Sequence, residues 1–87
     1  MNVGSAAADV EARRLLWRCR RGTKELDVML GRFARAQLPA AGSPERGAFA
    51  ALLALPDPLL MDYLLGGAVP AGASLAALVA RIRAYVD

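Results

Sequence analysis

The sequence predicts an all-α fold, a compact single-domain bundle of five short helices, and three observations carry that prediction. Apolar residues recur at helical spacing, helix start and stop signals alternate along the chain, and no segment shows sustained strand alternation. With 87 residues, the chain is one small domain that buries only about 60–65% of its unfolded surface, so its core is a few residues deep at most. The hydrophobic fraction of 56%, dominated by Ala and Leu, is enough to fold and too high for a disordered chain.

Residues 1–8 are small and featureless and read as a disordered N-terminal tail, leaving 9–87 as the helical domain. The first helix is expected to begin near Asp9, with Ala12, Leu15, Leu16 and Cys19 as one apolar stripe. Arg13, Arg14, Arg18 and Arg21 lie largely away from that stripe. Gly22 follows its last residue, where a left-handed stop is favoured. The second helix restarts at once, with Thr23 as cap and Glu25 and Asp27 in the first turn, where negative charge suits the helix dipole. Leu26, Met29, Leu30 and Phe33 form its buried stripe, and it ends before Pro39; residues 39–43 read as a loop.

Ser43, Pro44 and Glu45 open a third helix as cap, first-turn proline and first-turn acid, with Phe49, Leu52 and Leu53 inward and Pro56 as its stop. Asp57 and Pro58 repeat that start for a short fourth helix, with Asp57 as its cap. Leu60, Tyr63 and Leu64 point inward there, and Gly66-Gly67 terminates it. After a turn rich in Pro and Gly, the fifth helix carries Leu75, Leu78, Val79, Ile82 and Val86 at unbroken helical spacing. The paired starts hint at a helical-hairpin repeat, but their spacing is too short for a tetratricopeptide unit.

Composition excludes much chemistry. Histidine is absent, which removes the commonest general base and metal ligand, and the single cysteine permits neither an internal disulfide nor a thiolate cluster. The chain therefore reads as a non-enzyme that works through its surface. The N-terminus carries Asp9 and Glu11 before its first arginine, unlike a secretory signal. The longest apolar run, near Ala48 to Leu55, falls well short of the roughly 18 residues a membrane span needs. The expectation is a cytoplasmic protein with no membrane insertion, in a reducing compartment.

The net charge of +3 is unevenly spread: eight basic residues lie between Arg13 and Arg35, against the acids Glu25 and Asp27. A basic face suits nucleic acid, an anionic cofactor or an acidic protein. The most unusual segment runs from Trp17 to Asp27, a sharp Gly turn between two helices. A structural account of it has Gly22 serving its backbone angles and Arg21 pairing with Glu25 at the surface. The accompanying Arg18, Arg20 and Lys24, with a tryptophan nearby, exceed what a turn needs and suit a docking site. Trp17 itself either anchors an interface or covers the core edge. Cys19, on the apolar stripe, reads as a buried small residue rather than a reactive thiol. Asp62 reads as a solvated charge, Tyr63 and Tyr85 as packing residues, and Arg81 and Arg83 as complements to the last helix's dipole.

Arg21-Gly22-Thr23-Lys24-Glu25 matches an Arg-Gly-x-x-Glu signature, and with it the chain resembles the bacterial succinate dehydrogenase flavinylation (FAD assembly) factors. The likeness continues through Trp17 to Gly22, Glu25 to Asp27, Leu30 and Phe33. It resumes at Phe49, Leu52 and Leu53, at Pro56, Asp57, Pro58, Leu60, Tyr63 and Leu64, and in the final amphipathic helix. Two positions depart from the pattern: Thr23, where many relatives carry Met, and Tyr63, where many carry Trp. The resemblance implies a five-helix protein that binds the flavoprotein subunit of succinate dehydrogenase or fumarate reductase. It would promote covalent attachment of FAD to a histidine of that subunit, with no cofactor bound stably and as a monomer when free. Gly22 and Glu25 would be the residues most needed, with Arg21 beside them and Trp17, Arg20, Lys24 and Asp27 completing the partner-binding surface.

Three other readings compete. Nucleic-acid binding fits the basic helices, but Gly22 interrupts them and no recognition-helix pattern is present. Some proteins of the resembled family carry an antitoxin label, which makes a regulatory protein of a toxin–antitoxin pair the main alternative. Carriage of free FAD is opposed by the lack of a Gly-rich phosphate loop.

Overall fold

The computed structural model describes residues 3–85, with side chains from residue 9 onward. Five helices follow in order: α1 Val3–Arg18, α2 Lys24–Gln37, α3 Ser43–Leu53, α4 Asp57–Leu64 and α5 Ala73–Ala84. No strand occurs among the described residues. α1 packs on α2 and α3, α2 also meets α4 and α5, and α3 lies against α5.

The helical spacing in the sequence reappears as burial. Leu15 of α1 and Cys19 just beyond its end, Leu26, Leu30 and Phe33 of α2, and Phe49, Leu52 and Leu53 of α3 are buried, as are Leu60 and Leu64 of α4 and Leu78, Val79 and Ile82 of α5. Ala12, Leu16, Met29, Tyr63 and Leu75 pack half-buried around them. Val86 lies outside the described residues. Phe33 stacks on Phe49 with centroids 6.1 Å apart, and Tyr85 meets Phe33 edge-on at 6.0 Å. These rings tie α2, α3 and the end of α5 together. Removing Phe49, which is fully buried, would cost about 3–5 kcal/mol.

Several boundaries differ from the sequence expectation. α1 begins at Val3, six residues before Asp9, because the Ala-rich stretch ahead of Asp9 has strong helix propensity. The segment after α2 is a 3-10 turn, Leu38–Ala40, rather than a plain loop; Pro39 fits an early turn position, and Leu38 is buried beneath it. α3 and α4 each start on the residue before their proline, so Gly42 and Pro56 hold the cap positions. The Glu45 carboxylate accepts the Gly42 N–H at 3.4 Å, which relieves one orphan donor of α3. Asp57 makes no cap hydrogen bond, contrary to expectation, because its carboxylate is engaged by Arg21. α4 does end at the glycine pair, with Gly67 at φ +83° and the Gly66 N–H on the Met61 carbonyl.

Candidate functional site

The turn between α1 and α2 is held by side chains from three directions. α1 ends at Arg18, and Gly22 takes φ +87°, a left-handed conformation that costs other residues roughly 1–2 kcal/mol. Thr23 occupies the cap position of α2 in extended conformation but gives no side-chain cap bond. Asp27 takes over that task. Its Oδ1 accepts the Arg21 N–H at 2.7 Å and its Oδ2 the Gly22 N–H at 3.2 Å. One carboxylate in the first turn of α2 thus fixes the two peptides preceding it.

Arg21 does not pair with Glu25. Its guanidinium turns inward to the α3–α4 connection, where Nη1 donates to the Leu53 carbonyl at 2.7 Å and Nη2 to the Leu55 carbonyl at 2.8 Å. Nε donates to Asp57 Oδ1 at 2.8 Å. A cation here satisfies carbonyls orphaned at the end of α3 and suits that helix's dipole. The Arg21 side chain is only 16% exposed, so of the residues assigned to the partner-binding surface, Arg21 and Asp27 have their polar groups engaged within the fold.

The others face outward. Gly22 is exposed, and nothing stands within 4 Å of where a Cβ would project. Glu25 and Lys24 are exposed on the first turn of α2. Trp17 is 67% exposed and so does not cover the core edge, and Arg20 stacks its guanidinium 4.6 Å from the ring centroid. This pairing presents a flat aromatic surface backed by charge, the type of side chain pair that anchors interfaces. Cys19 is buried and donates to the Leu15 carbonyl at 3.4 Å. Burial pushes its thiol up to about 12, against the pull of Arg21, Arg35 and Arg18, so it is not a thiolate nucleophile near neutral pH.

Sequence reasoning missed two participants. Asp57 reads as a cap because its place before Pro58 is a helix-start pattern; nothing local indicates a partner in the distant α1–α2 turn. Gly31 is buried in mid-α2, and a Cβ there would come within 3.1 Å of Arg35 Nη1. The four-residue spacing of Gly31 and Arg35 was the available signal. Among the described residues no group of three His, Cys, Asp or Glu side chains could hold a metal ion, and no single helix is long and apolar enough to cross a membrane.

Comparison with known proteins gives a consistent answer. The family described as "Flavinator of succinate dehydrogenase" matches residues 13–86. The chain is 47% identical over 73 residues to the FAD assembly factor SdhE of Methylococcus capsulatus, covering 84% of this chain and 88% of the relative. It is 36% identical over 72 residues to the SdhE of Coxiella burnetii (83% and 88%) and 32% over 77 residues to that of Acinetobacter baylyi (88% and 91%). No solved structure gives a significant match. The antitoxin reading finds no support in these relatives. With the family match running from the second half of α1 through the Gly22 turn to the last helix, this chain belongs to the succinate dehydrogenase flavinator family of FAD assembly factors.

Proposed function

We propose that this protein binds the flavoprotein subunit of succinate dehydrogenase and promotes covalent attachment of FAD to a histidine of that subunit. Fumarate reductase, with a related flavoprotein, is a second client. The observation that carries this reading is the division of labour at the turn. Arg21 and Asp27 hold the backbone, while Gly22 and Glu25 are exposed and the Glu25 carboxylate makes no hydrogen bond or ion pair among the described residues. A rigid, bare backbone beside an unpaired carboxylate suits close approach by another protein.

In this mechanism Gly22 admits the partner to the turn and Glu25 pairs with a partner cation or fixes a partner loop. Holding the flavoprotein in its reactive arrangement raises the fraction of molecules in which histidine and flavin are aligned. The bond-forming groups belong to the flavoprotein and its FAD; this chain holds no cofactor stably and supplies no catalytic group. A sequence without histidine, whose one cysteine is a buried thiol, supports that assignment. The protein acts in the cytoplasm and is monomeric when free.

The test is in-gel fluorescence of covalent flavin on the denatured flavoprotein, with and without this protein. The reading requires signal that depends on the wild type and is not restored by Gly22→Arg or Glu25→Ala. Equal signal in the protein's absence would refute it.

A further inference from the structure

An open trough runs between α1 and α2, from the Gly22 turn at one end to Pro39 at the other. It comprises depressions of about 690 and 340 Å³ that share Arg13, Leu16 and Arg35 in their walls. Arg35 lies over Gly31, where the missing side chain lets its guanidinium sit low in the trough. Arg13 stands on the α1 wall. Neither guanidinium has an ion pair or hydrogen bond among the described residues. The acids of the trough stand at its ends: Asp9 near Pro39, and Asp27, whose oxygens already accept the Arg21 and Gly22 N–H groups. Its middle is therefore positive, and at the Gly22 end Trp17 and Val28 expose apolar surface.

That combination narrows the occupant. An apolar segment would desolvate two guanidinium groups without compensation, and a small anion would leave Trp17 and Val28 in water. A chain carrying both carboxylates and apolar side chains satisfies both, and a trough between two helices accommodates it extended. We propose that the trough docks an extended acidic segment of the flavoprotein subunit, its carboxylates on Arg13 and Arg35 and its apolar side chains on Trp17 and Val28. This rests on the proposed function and deepens it. The exposed turn governs the attachment step, and the trough governs how tightly the partner is held.

The experiment titrates purified flavoprotein subunit into the wild-type chain, Arg13→Glu, Arg35→Glu and, as a control on α5, Arg83→Glu, by calorimetry at low and high salt. Covalent flavin is read on the same samples. Each trough reversal is expected to weaken binding about tenfold or more, and wild-type affinity to fall with salt, because the contacts are charge pairs. Arg83→Glu stays close to wild type, and excess trough variant restores the flavin yield. Arg13→Gln and Arg35→Gln remove the charge alone and replace any reversal that fails to fold. Wild-type affinity in the trough variants, with wild-type flavinylation intact, overturns the trough and spares the proposed function. Absence of both binding and flavin gain with the wild type overturns the function and the trough with it. Free FAD that binds the wild type and not the variants, with flavoprotein affinity unchanged, overturns the acidic segment in favour of the dinucleotide.

Discussion

Arg21 Nε and Asp57 Oδ1 lie 2.8 Å apart across 36 residues of chain, joining the α1–α2 turn to the first residue of α4. The same guanidinium holds the Leu53 and Leu55 carbonyls, so a residue of the family signature fastens the site to the opposite half of the bundle. Loss of Arg21 strands the Leu53 and Leu55 carbonyls and a carboxylate, whereas loss of Asp57, whose side chain is 38% exposed, removes one of the guanidinium's four acceptors. Arg21→Ala is expected to cost about 2–3 kcal/mol and Asp57→Ala about 1 kcal/mol or less. Urea unfolding of both variants and the double variant measures this; equal costs would mean the carbonyl bonds contribute nothing.

Gly22→Ala keeps the fold at a cost of roughly 1–2 kcal/mol, because φ +87° is strained for any residue with a Cβ although space is open. Gly22→Arg carries the same backbone strain and adds a long cation to the exposed turn. Circular dichroism should show a folded bundle in both, with covalent flavin reduced by the alanine and abolished by the arginine.

Glu25→Gln leaves stability within about 0.5 kcal/mol, since among the described residues the exposed carboxylate makes only a first-turn dipole interaction. Flavinylation nevertheless falls sharply. Melting temperature and in-gel flavin fluorescence on one preparation separate the two effects, and a variant that is both stable and active would remove Glu25 from the site.

Trp17 is the single tryptophan and is mostly exposed, so it reports directly on docking. Acrylamide quenching of its emission should drop when the flavoprotein is added. Trp17→Ala should weaken binding by about 2 kcal/mol, as for an interface anchor, while unfolding as the wild type does. Unchanged quenching in a demonstrated complex would place Trp17 outside the contact.

The Cys19 thiol, raised from 9.0 to about 12 by burial, makes stability fall in alkali. The folded pKa lies above the unfolded one, so the contribution is complete below about pH 9 and is lost progressively as pH rises toward 12. Thermal melts between pH 8 and 11 should decline more steeply for wild type than for Cys19→Ala. Parallel slopes would show that the thiol titrates normally.

The helical class, the order of five helices, nearly all of the core and the location of the turn were legible in the residues alone. These depend on spacing, prolines and glycines, which act within a few residues: Leu26, Leu30 and Phe33 must share a face of α2 whatever surrounds it, and Gly22 allows the left-handed step of the turn, although α1 itself stops earlier, at Arg18. The sequence also carried the family, since the signature from Arg21 to Glu25 is contiguous. Helix packing, by contrast, sets which signature residues are exposed and which are engaged within the fold. Arg21 and Glu25 are four apart and of opposite charge, so local reasoning pairs them, yet Arg21 turns away because uncompensated carbonyls at the end of α3 and the Asp57 carboxylate lie within its reach. Asp27 likewise accepts the Arg21 and Gly22 N–H groups. Contacts spanning 36 residues depend on how helices pack, and spacing along one helix carries no record of that.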